Sequence, residues 1–584
     1  MKVLLSTLNA KFIHSSFALK YLEAACKPIC PGITSKEYTI NNELLTIVSD
    51  IYSKQPQVVG LACYIWNIDM TLRLAALLKK VLSDVIIVLG GPEVSYDPKE
   101  IMEKHACIDY IVQGEGEETL GALLTAIQSN ASTENIMGIS YRDNEQIVVG
   151  KTQVIANLNT LPFPYCHEDI EKLKDKIIYY ESARGCPFSC SYCLSSATSG
   201  VRFFSLERVY QDLQFFIAHN VRQVKFVDRT FNARKEHYLP ILRFLAAQDC
   251  RTNFHFEIAA DILDDEVVEF LQEIPVGRFQ FEIGVQSTYE PTLKTISRKN
   301  NWVKIQDYVT KIISYGNIHV HLDLIVGLPQ ENYAQFGQSF NDAYQLKPHM
   351  LQIGFLKMLK GAGIRRMTEE YNYSFLDYAP YEVLSNNCLP YGEVRKLKIL
   401  EEMFNQVYNT GRFKCTLDYM VTLYDGDAFA FYHQLRAYWE EEELHVVAHS
   451  SKSLYKYILD FCSTYHQEEV ALVAEFMKFD ALMSDKGALR PEVLTWNKEL
   501  WAKERNAFWS QQEQVVCYLP GYTFTNWRDI NKKYHIEVFS VDIPLYLQSG
   551  QVVNKMTPIL FSFSEDTTYQ CLVQHEFFHN EAVL

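Results

Sequence analysis

The sequence predicts an α/β protein: a doubly wound, Rossmann-like sheet, then a partial (β/α)6 barrel, then a mixed, mostly helical C-terminal domain. Three observations carry this. Short apolar runs alternate with helical-period segments over roughly the first 130 residues. A second alternating series occupies about 177–360. After about 365 helical periodicity takes over.

In the first series, Val3-Leu4-Leu5, Val58–Ala62, Val85–Leu89 and Ile108–Val112 read as buried strands. Phe17–Ala25, Met70–Leu82 and Glu117–Ile127 read as helices between and after them. Strands joined through helices form a parallel sheet covered on both faces, and such a sheet binds ligands beyond the carboxyl ends of its strands. Two of those ends carry glycine loops, Gly90-Gly91-Pro92-Glu93 and Gln113-Gly114-Glu115-Gly116-Glu117, where backbone can approach a bulky ligand closely. Residues 140–155 read as a small hairpin, and Leu161-Pro162-Phe163-Pro164-Tyr165 as a stiff connector.

The second series has strands near Ile177–Tyr180, Gln223–Val227, Asn253–Ile258, Arg278–Ile283, His319–Ile325 and Leu351–Phe355, with helices such as Leu206–His219 between them. Six units make a partial barrel with its chemistry at the strand carboxyl ends. The C-terminal region is helical from Val394 to about Leu482 and strand-rich from Tyr534 to Phe563. The resulting boundaries are 1–140, 141–175 for the hairpin and linker, 176–365 for the barrel, and 366–584.

Composition narrows the class of partner. With 584 residues, 48% hydrophobic, the chain can build several cores. A net charge of −16 argues against broad nucleic-acid binding. No apolar run reaches the roughly 18 residues of a membrane helix. The apolar start is short and broken by Ser6, Thr7 and Asn9, so it reads as a strand and not as an export signal. Fourteen cysteines in a chain without such a signal belong in a reducing compartment, and the expected location is cytoplasmic.

One cysteine group stands apart. Arg184-Gly185-Cys186-Pro187-Phe188-Ser189-Cys190-Ser191-Tyr192-Cys193 follows the first barrel strand. Iron–sulfur clusters are held by thiolates. Three thiolates on one tight loop suit a cubane whose fourth iron stays open for another ligand. A bare C-x-x-C also suits a redox pair or half of a zinc site, but the nearest histidines, His167 and His219, lie far off in sequence. Cys26 and Cys30 have no third cysteine nearby and read as packing thiols.

The C-x-x-x-C-x-x-C loop after a barrel strand resembles the radical S-adenosylmethionine (SAM) superfamily over about 177–365. The resemblance implies a 4Fe-4S cluster on Cys186, Cys190 and Cys193, with SAM on the open iron and cleaved to a 5′-deoxyadenosyl radical. It places Tyr192 by the adenine. Asp228, in Val227-Asp228-Arg229-Thr230-Phe231, takes the place of the second-strand acid near the SAM amino group, although the related subgroup often has a further acid where Arg229 stands. Glu282, Gly284, Gln286 and Ser287 match the fourth-strand segment near ribose and carboxylate. Gly327 and Glu331, in Asp323–Glu331, match the fifth-strand glycine motif.

The N-terminal sheet resembles the cobalamin-binding domain of the same subgroup. The matching residues are Gly90, Gly91, Pro92, Glu93, Gly114, Glu115, Gly116 and Glu117, and Tyr64 and the loop residues Asn9 and His14 join the implied set. The D-x-H-x-x-G segment that carries a cobalt-binding histidine in many cobalamin proteins is missing, which leaves His14 as a ligand, a substrate contact or a satisfied loop residue. The whole chain resembles members of this subgroup whose C-terminal domain has no assigned role. The activity implied is cobalamin-dependent methyl transfer to an unactivated carbon. Its alternatives are radical rearrangement or cyclisation, or a non-catalytic cobalamin- or redox-sensing protein. The partners implied are SAM, a small-molecule or peptide substrate, and an electron donor such as flavodoxin or ferredoxin.

His575-Glu576-Phe577-Phe578-His579 matches the zinc-protease motif H-E-x-x-H. Only five residues follow it, and the segment before it reads as strand, so it is taken as a chance match.

Overall fold

The structure, a computed structural model, describes residues 1–144, 146–197, 200–497, 499–563 and 567–572. It divides into two compact units, Met1–Val394 and Arg395–Leu584.

The first unit opens with a seven-stranded sheet. Its strands are β1 (Val3–Asn9), β2 (Ile33–Thr39), β3 (Val58–Ala62), β4 (Ile86–Gly90), β5 (Tyr110–Val112), β6 (Ile139–Asp143) and β7 (Gln146–Val149). The order is β2-β1-β3-β4-β5-β6-β7, with the first five parallel and the last two added antiparallel. Side chains alternate across β1, so Leu4 and Leu8 enter one core while Val3 and Leu5 enter the other. Helices α1 (Phe17–Cys26), α2 (Leu44–Lys54), α3 (Ile68–Val81), α4 (Pro92–Ser95), α5 (Pro98–Lys104) and α6 (Gly116–Ser129) complete the layers. Cys26 and Cys30 are buried in the core beneath α1 and α6.

β2, α2, α4 and α5 escaped the sequence reading. β2 is an edge strand, Ile-Thr-Ser-Lys-Glu-Tyr-Thr, whose polar residues give no apolar run, and only its pairing with β1 makes it a strand. The hairpin near 140–155, read as part of the linker, instead extends the sheet, with Val112 paired to Ile139.

The barrel sheet is fully parallel in the order β15-β14-β13-β12-β11-β8. Its first strand is β8 (Ile178–Tyr180), and the short antiparallel pair β9 (Ala183–Gly185) and β10 (Val201–Phe203) flanks the cysteine loop. Then come β11 (Gln223–Phe226), β12 (Asn253–Ile258), β13 (Phe279–Gln286), β14 (His319–Val326) and β15 (Met350–Phe355). On β13 the residues Phe279, Phe281, Ile283 and Val285 are buried, while Gln280, Glu282, Gly284 and Gln286 alternate with them and are only half-buried. β12 and β14 repeat the pattern. The outer face of the barrel is therefore apolar and the inner face polar.

Residues 366–394, read from sequence as the start of the C-terminal domain, stay with the barrel. The hairpin β16 (Ser374–Phe375) and β17 (Val383–Ser385) joins the end of β15 through Met358 N–H to Tyr381 O and Val383 N–H to Leu356 O. Tyr373, Tyr381 and Val383 are buried there, so the compact unit ends at Val394 and not at 365.

The second unit packs the helices Lys414–Thr422, Ala428–Glu441, Ser451–Tyr465 and Val470–Met483, together with an antiparallel sheet of β18 (Tyr534–Val541), β19 (Asn554–Phe563) and β20 (Thr567–Cys571). Asp480 accepts hydrogen bonds from Cys415 N, Thr416 N and Thr416 Oγ1, and so ties two of these helices together. The His575–His579 motif lies outside the described residues. Among the described residues no helix is long and apolar enough to cross a membrane.

Candidate functional site

The cysteine loop is held by backbone at both edges. Gly185 has φ of +103°, and a Cβ there would lie 2.1 Å from Gly200 O, so the position needs glycine. Ser191 N–H donates to Ile296 O, and Ile364 N–H donates to Ser191 O. The loop is thereby clamped between the segment after β13 and the segment after β15. Gly363, in that second segment, is where a Cβ would meet Ser191 O at 3.4 Å.

Cys186, Cys190 and Cys193 all line one cavity of about 170 Å³ at the carboxyl ends of the barrel strands. Donors are already directed at the sulfurs. Ser195 N–H lies 3.4 Å from Cys193 Sγ, Thr230 Oγ1 lies 3.4 Å from Cys186 Sγ, and Arg298 Nη1 lies 3.7 Å from Cys190 Sγ. Three converging thiols with N–H, hydroxyl and cationic neighbours fit an iron–sulfur cluster, whose potential is tuned by hydrogen bonds to sulfur.

Of the residues assigned from sequence to SAM, Tyr192, Glu282, Gly284 and Gln286 line this cavity. Glu257, Asp323, Arg298, Arg229 and Thr230 line it too, and the sequence reading did not assign them. Tyr192 Oη accepts from Arg298 Nη1 at 3.0 Å. Gly284 is packed against the Gln286 side chain, where a Cβ would lie 2.2 Å from Nε2.

The carboxylates on β12, β13 and β14 are not equivalent. Burial opposes the charge on Glu282, but hydrogen bonds from His255 (with its proton on Nε2) and Lys225 override it and bring its pKa down to about 2. Burial, with Glu282 and Glu257 adding to it, pushes Asp323 up to about 8. Asp323 Oδ1 and Gln286 Oε1 are buried without a hydrogen-bond partner, so both fit a ligand that brings N–H or O–H donors.

The Asp323 shift predicts a pH effect. The unfolded carboxyl ionises near ~3.9, and the folded one only near 8, so stability falls as pH rises between those values, by about 1.4 kcal/mol per pH unit. Asp323→Asn is expected to remove that slope in cofactor-free protein. Denaturant unfolding at pH 5 and pH 8 checks it, and equal slopes for the two proteins would refute it.

Four assigned residues lie elsewhere. Asp228 is buried behind the cavity, where it accepts from Ser182 N at 2.9 Å and Ser182 Oγ at 2.7 Å and so pins β8 to the end of β11. Ser287 Oγ donates to Glu331 Oε1, which Ser339 Oγ also reaches at 3.0 Å. Gly327 O accepts from Tyr373 Oη and Asn386 Nδ2. Partners distant in sequence thus engage Asp228, Ser287, Gly327 O and Glu331 Oε1, whereas Glu331 Oε2 is buried without a hydrogen-bond partner.

A second cavity, of about 440 Å³, lies at the carboxyl ends of β1, β3, β4 and β5, next to the point where the strand order reverses between β1 and β3. Leu5, Leu19, Leu22, Gly60, Val88, Val112 and Leu120 make it a mostly apolar slot between the sheet and the α1 and α6 helices. Gly60 keeps it open, since a Cβ there would meet Leu5 Cδ2 at 2.7 Å. The implied cobalamin residues Tyr64, Gly90, Gly91, Gly114, Glu115, Gly116 and Glu117 line it. A long slot with glycine-built rims fits a bulky ligand whose tail enters the sheet.

Asn9, His14, Pro92 and Glu93 do not line this cavity. Asn9 Nδ2 donates to Glu37 Oε2 and His14 O. His14 Nδ1 lies 2.7 Å from Tyr179 Oη. Pro92 begins the short α4, and the buried Glu93 accepts from Tyr381 Oη at 2.9 Å. Glu115 and Glu117 spend their carboxylates on arginines. Arg184 pairs with Glu117 and Glu181, and Arg202 pairs with Glu115, a network that bolts the barrel entrance to the Gly114–Glu117 loop. Arg184→Ala would leave the buried Glu181 and Glu117 unpaired, and a loss of about 3–5 kcal/mol is expected. A thermal unfolding midpoint equal to that of the wild type would contradict this.

Arg229 belongs to both cavities. It follows Asp228 at the end of β11, and its side chain is exposed.

Comparison with known proteins finds three family matches along the chain. The B12 binding domain profile matches residues 4–124, and the radical SAM superfamily profile matches 180–343. Residues 369–561 match a family described as protein of unknown function, DUF4080. The chain is 30% identical over 322 residues to the cobalamin-dependent radical SAM methyltransferase TokK of Streptomyces tokunonensis, covering 50% of this chain and 46% of that one. It is 26% identical over 261 residues to the anaerobic magnesium-protoporphyrin IX monomethyl ester cyclase of Synechocystis sp., covering 42% and 50%. It thus spans about half the length of these two relatives. The cobalamin-dependent S-adenosylmethionine radical enzyme OxsB with aqua-cobalamin bound superimposes with a TM-score of 0.60 at 15% identity, over 85% of this chain and 81% of that one. The chain thus combines a B12 binding domain, a radical SAM superfamily domain and a DUF4080 region, in that order.

Proposed function

We propose that this protein is a cobalamin-dependent radical SAM enzyme that transfers a methyl group to an unactivated carbon. The observation that supports it most is the meeting of two cavities at Arg229, one lined by three cysteines and one an apolar slot at the switch point of the first sheet. Cys186, Cys190 and Cys193 hold the cluster. Tyr192, Glu282, Gly284 and Gln286, joined by Arg298 and Asp323, form the SAM site. Asp228, Ser287, Gly327 and Glu331 position the strands that carry it. Tyr64, Gly90, Gly91, Gly114 and Gly116 border the cobalamin site. When bound, the cluster would pass on the electron that splits SAM into methionine and a 5′-deoxyadenosyl radical, and cobalamin would serve as the methyl carrier. The protein orients SAM, offers it a Glu282 carboxylate that His255 and Lys225 hold well below the usual range and an Asp323 that burial raises, and keeps water from the reacting carbon. An external reductant such as flavodoxin or ferredoxin supplies the electron to the cluster, and the reducing cytoplasm keeps the cysteines from pairing as disulfides.

The test is anaerobic reconstitution followed by iron, sulfide and cobalt counts, reduction, and incubation with methyl-deuterated SAM. 5′-Deoxyadenosine and retained cobalt support the reading, and no SAM cleavage sinks it. A second reading, radical cyclisation or rearrangement, is favoured by the likeness to the magnesium-protoporphyrin cyclase. Product that never carries the deuterated methyl decides for it. A structural cluster in a sensing protein would bind the same groups and leave SAM intact.

A further inference from the structure

Arg229 stands where the two cavities meet, and its loop is rigid. Asp228 on one side is pinned by Ser182 N and Oγ. On the other side Phe231 N–H donates to Glu257 O, and Asn232 exchanges two hydrogen bonds with the backbone of Ala259. Thr230 points to the cysteine loop, with its Oγ1 3.4 Å from Cys186 Sγ. The backbone of Arg229 is thus fixed to the barrel while its side chain is exposed.

The other arginines nearby are committed. Arg184 and Arg202 pair with Glu115, Glu117 and Glu181, and Arg298 holds Tyr192 Oη and Gly284 O. Among the described residues the Arg229 guanidinium makes no ion pair and no hydrogen bond. A guanidinium is always charged and offers five donors in a fork that matches a carboxylate or phosphate. Carboxylates do line both cavities. Glu181, Glu115 and Glu117 are occupied by Arg184 and Arg202, and Glu282 by Lys225 and His255, while burial pushes Asp323 toward its neutral form and Glu257 feels the Arg229 charge without forming an ion pair with it. An acidic protein with net charge −16 has therefore placed one unspent cation at the mouth shared by both cofactor cavities.

We infer that Arg229 is the specificity residue for the substrate, and that the substrate carries an anionic group, a carboxylate or a phosphate. This rests on the two-cofactor reading above. Binding the anion between the cavities puts the rest of the substrate within reach of both, which is what a reaction drawing on SAM on one side and cobalamin on the other requires.

The experiment uses the full-length protein, reconstituted anaerobically with its cluster and hydroxocobalamin, with and without SAM. Phenylglyoxal modifies accessible arginines, and peptide mass spectrometry reads the rate at Arg229. Succinate and inorganic phosphate serve as the carboxylate and phosphate probes, against sodium chloride at matched ionic strength. Arg229 is expected to remain reactive when SAM and cobalamin are both bound, and to be modified about tenfold more slowly with one of the two anions, the scale of a charged hydrogen bond. The more protective anion identifies the group. The inference is overturned if SAM or cobalamin alone shields Arg229, if it is never modified, or if neither anion slows the reaction beyond chloride. Formation of 5′-deoxyadenosine by the same preparation keeps the two claims separate. Without it the enzyme reading fails, whereas with it and no anion protection only the role of Arg229 fails.

Discussion

Cys190→Ala is expected to abolish SAM cleavage and to lower iron content sharply while the protein remains folded. Cys190 is the most deeply buried of the three loop cysteines, and Arg298 is directed at its sulfur. Removing it leaves two thiolates for a cluster that needs three, and leaves the Arg298 charge facing a methyl group. Loss of an outer-shell partner of a metal site costs about 10–100-fold, and loss of a ligand should exceed that. The loop keeps its shape because the bonds that clamp it run through the backbone of Ser191, Ile296 and Ile364. Iron and sulfide counts, the spectrum of the reduced protein and 5′-deoxyadenosine yield together check this. A variant that still cleaves SAM at wild-type rate would remove these cysteines from the reaction. Comparable losses in Cys186→Ala and Cys193→Ala would show that the three act as one set.

Gly60→Val tests the other cavity. Gly60 lies in the middle of β3 and lines the apolar slot, where Leu5 Cδ2 would be 2.7 Å from a new Cβ. That atom is the end of a flexible side chain, so alanine can be accommodated by a small shift of Leu5. Valine brings two further carbons into the slot. Overpacking of this kind costs about 1–3 kcal/mol, so cobalamin retention is expected to fall by about tenfold or more. The cysteine cavity lies at the barrel and shares only Arg229 with the slot, so cluster content and SAM cleavage should persist. Cobalt per protein, read beside iron per protein, is the measurement. Wild-type cobalt in Gly60→Val would mean that cobalamin does not enter this slot. Loss of both metals together would point to unfolding, and Gly60→Ala then serves as the milder probe.

What the sequence determined by itself was local. Strand and helix periodicity located all six barrel strands to within a few residues, because alternating burial is written into each segment separately. The spacing of Cys186, Cys190 and Cys193 placed three thiols on one loop, and the rims Gly90-Gly91 and Gly114–Gly116 marked two strand ends, since glycine there answers a demand of the backbone alone. The tertiary structure decided which polar residues are free to act. Asp228, Ser287, Asn9 and Glu93 carry the right chemistry, but partners tens or hundreds of residues away in the chain consume them, as Tyr381 does for Glu93, and Glu331 Oε1 and His14 Nδ1 are engaged in the same way. Gly60, Glu257 and Arg298 look ordinary in sequence, Asp323 and Arg229 lie in motifs that gave them no role, and all five are seen to reach a cavity only when strands and loops assemble. Polar atoms are satisfied by whatever lies nearest in space, and one sequence does not reveal that neighbour. For this reason the cofactor class was legible from the chain alone, whereas the shared wall at Arg229, where the substrate is proposed to sit, was not.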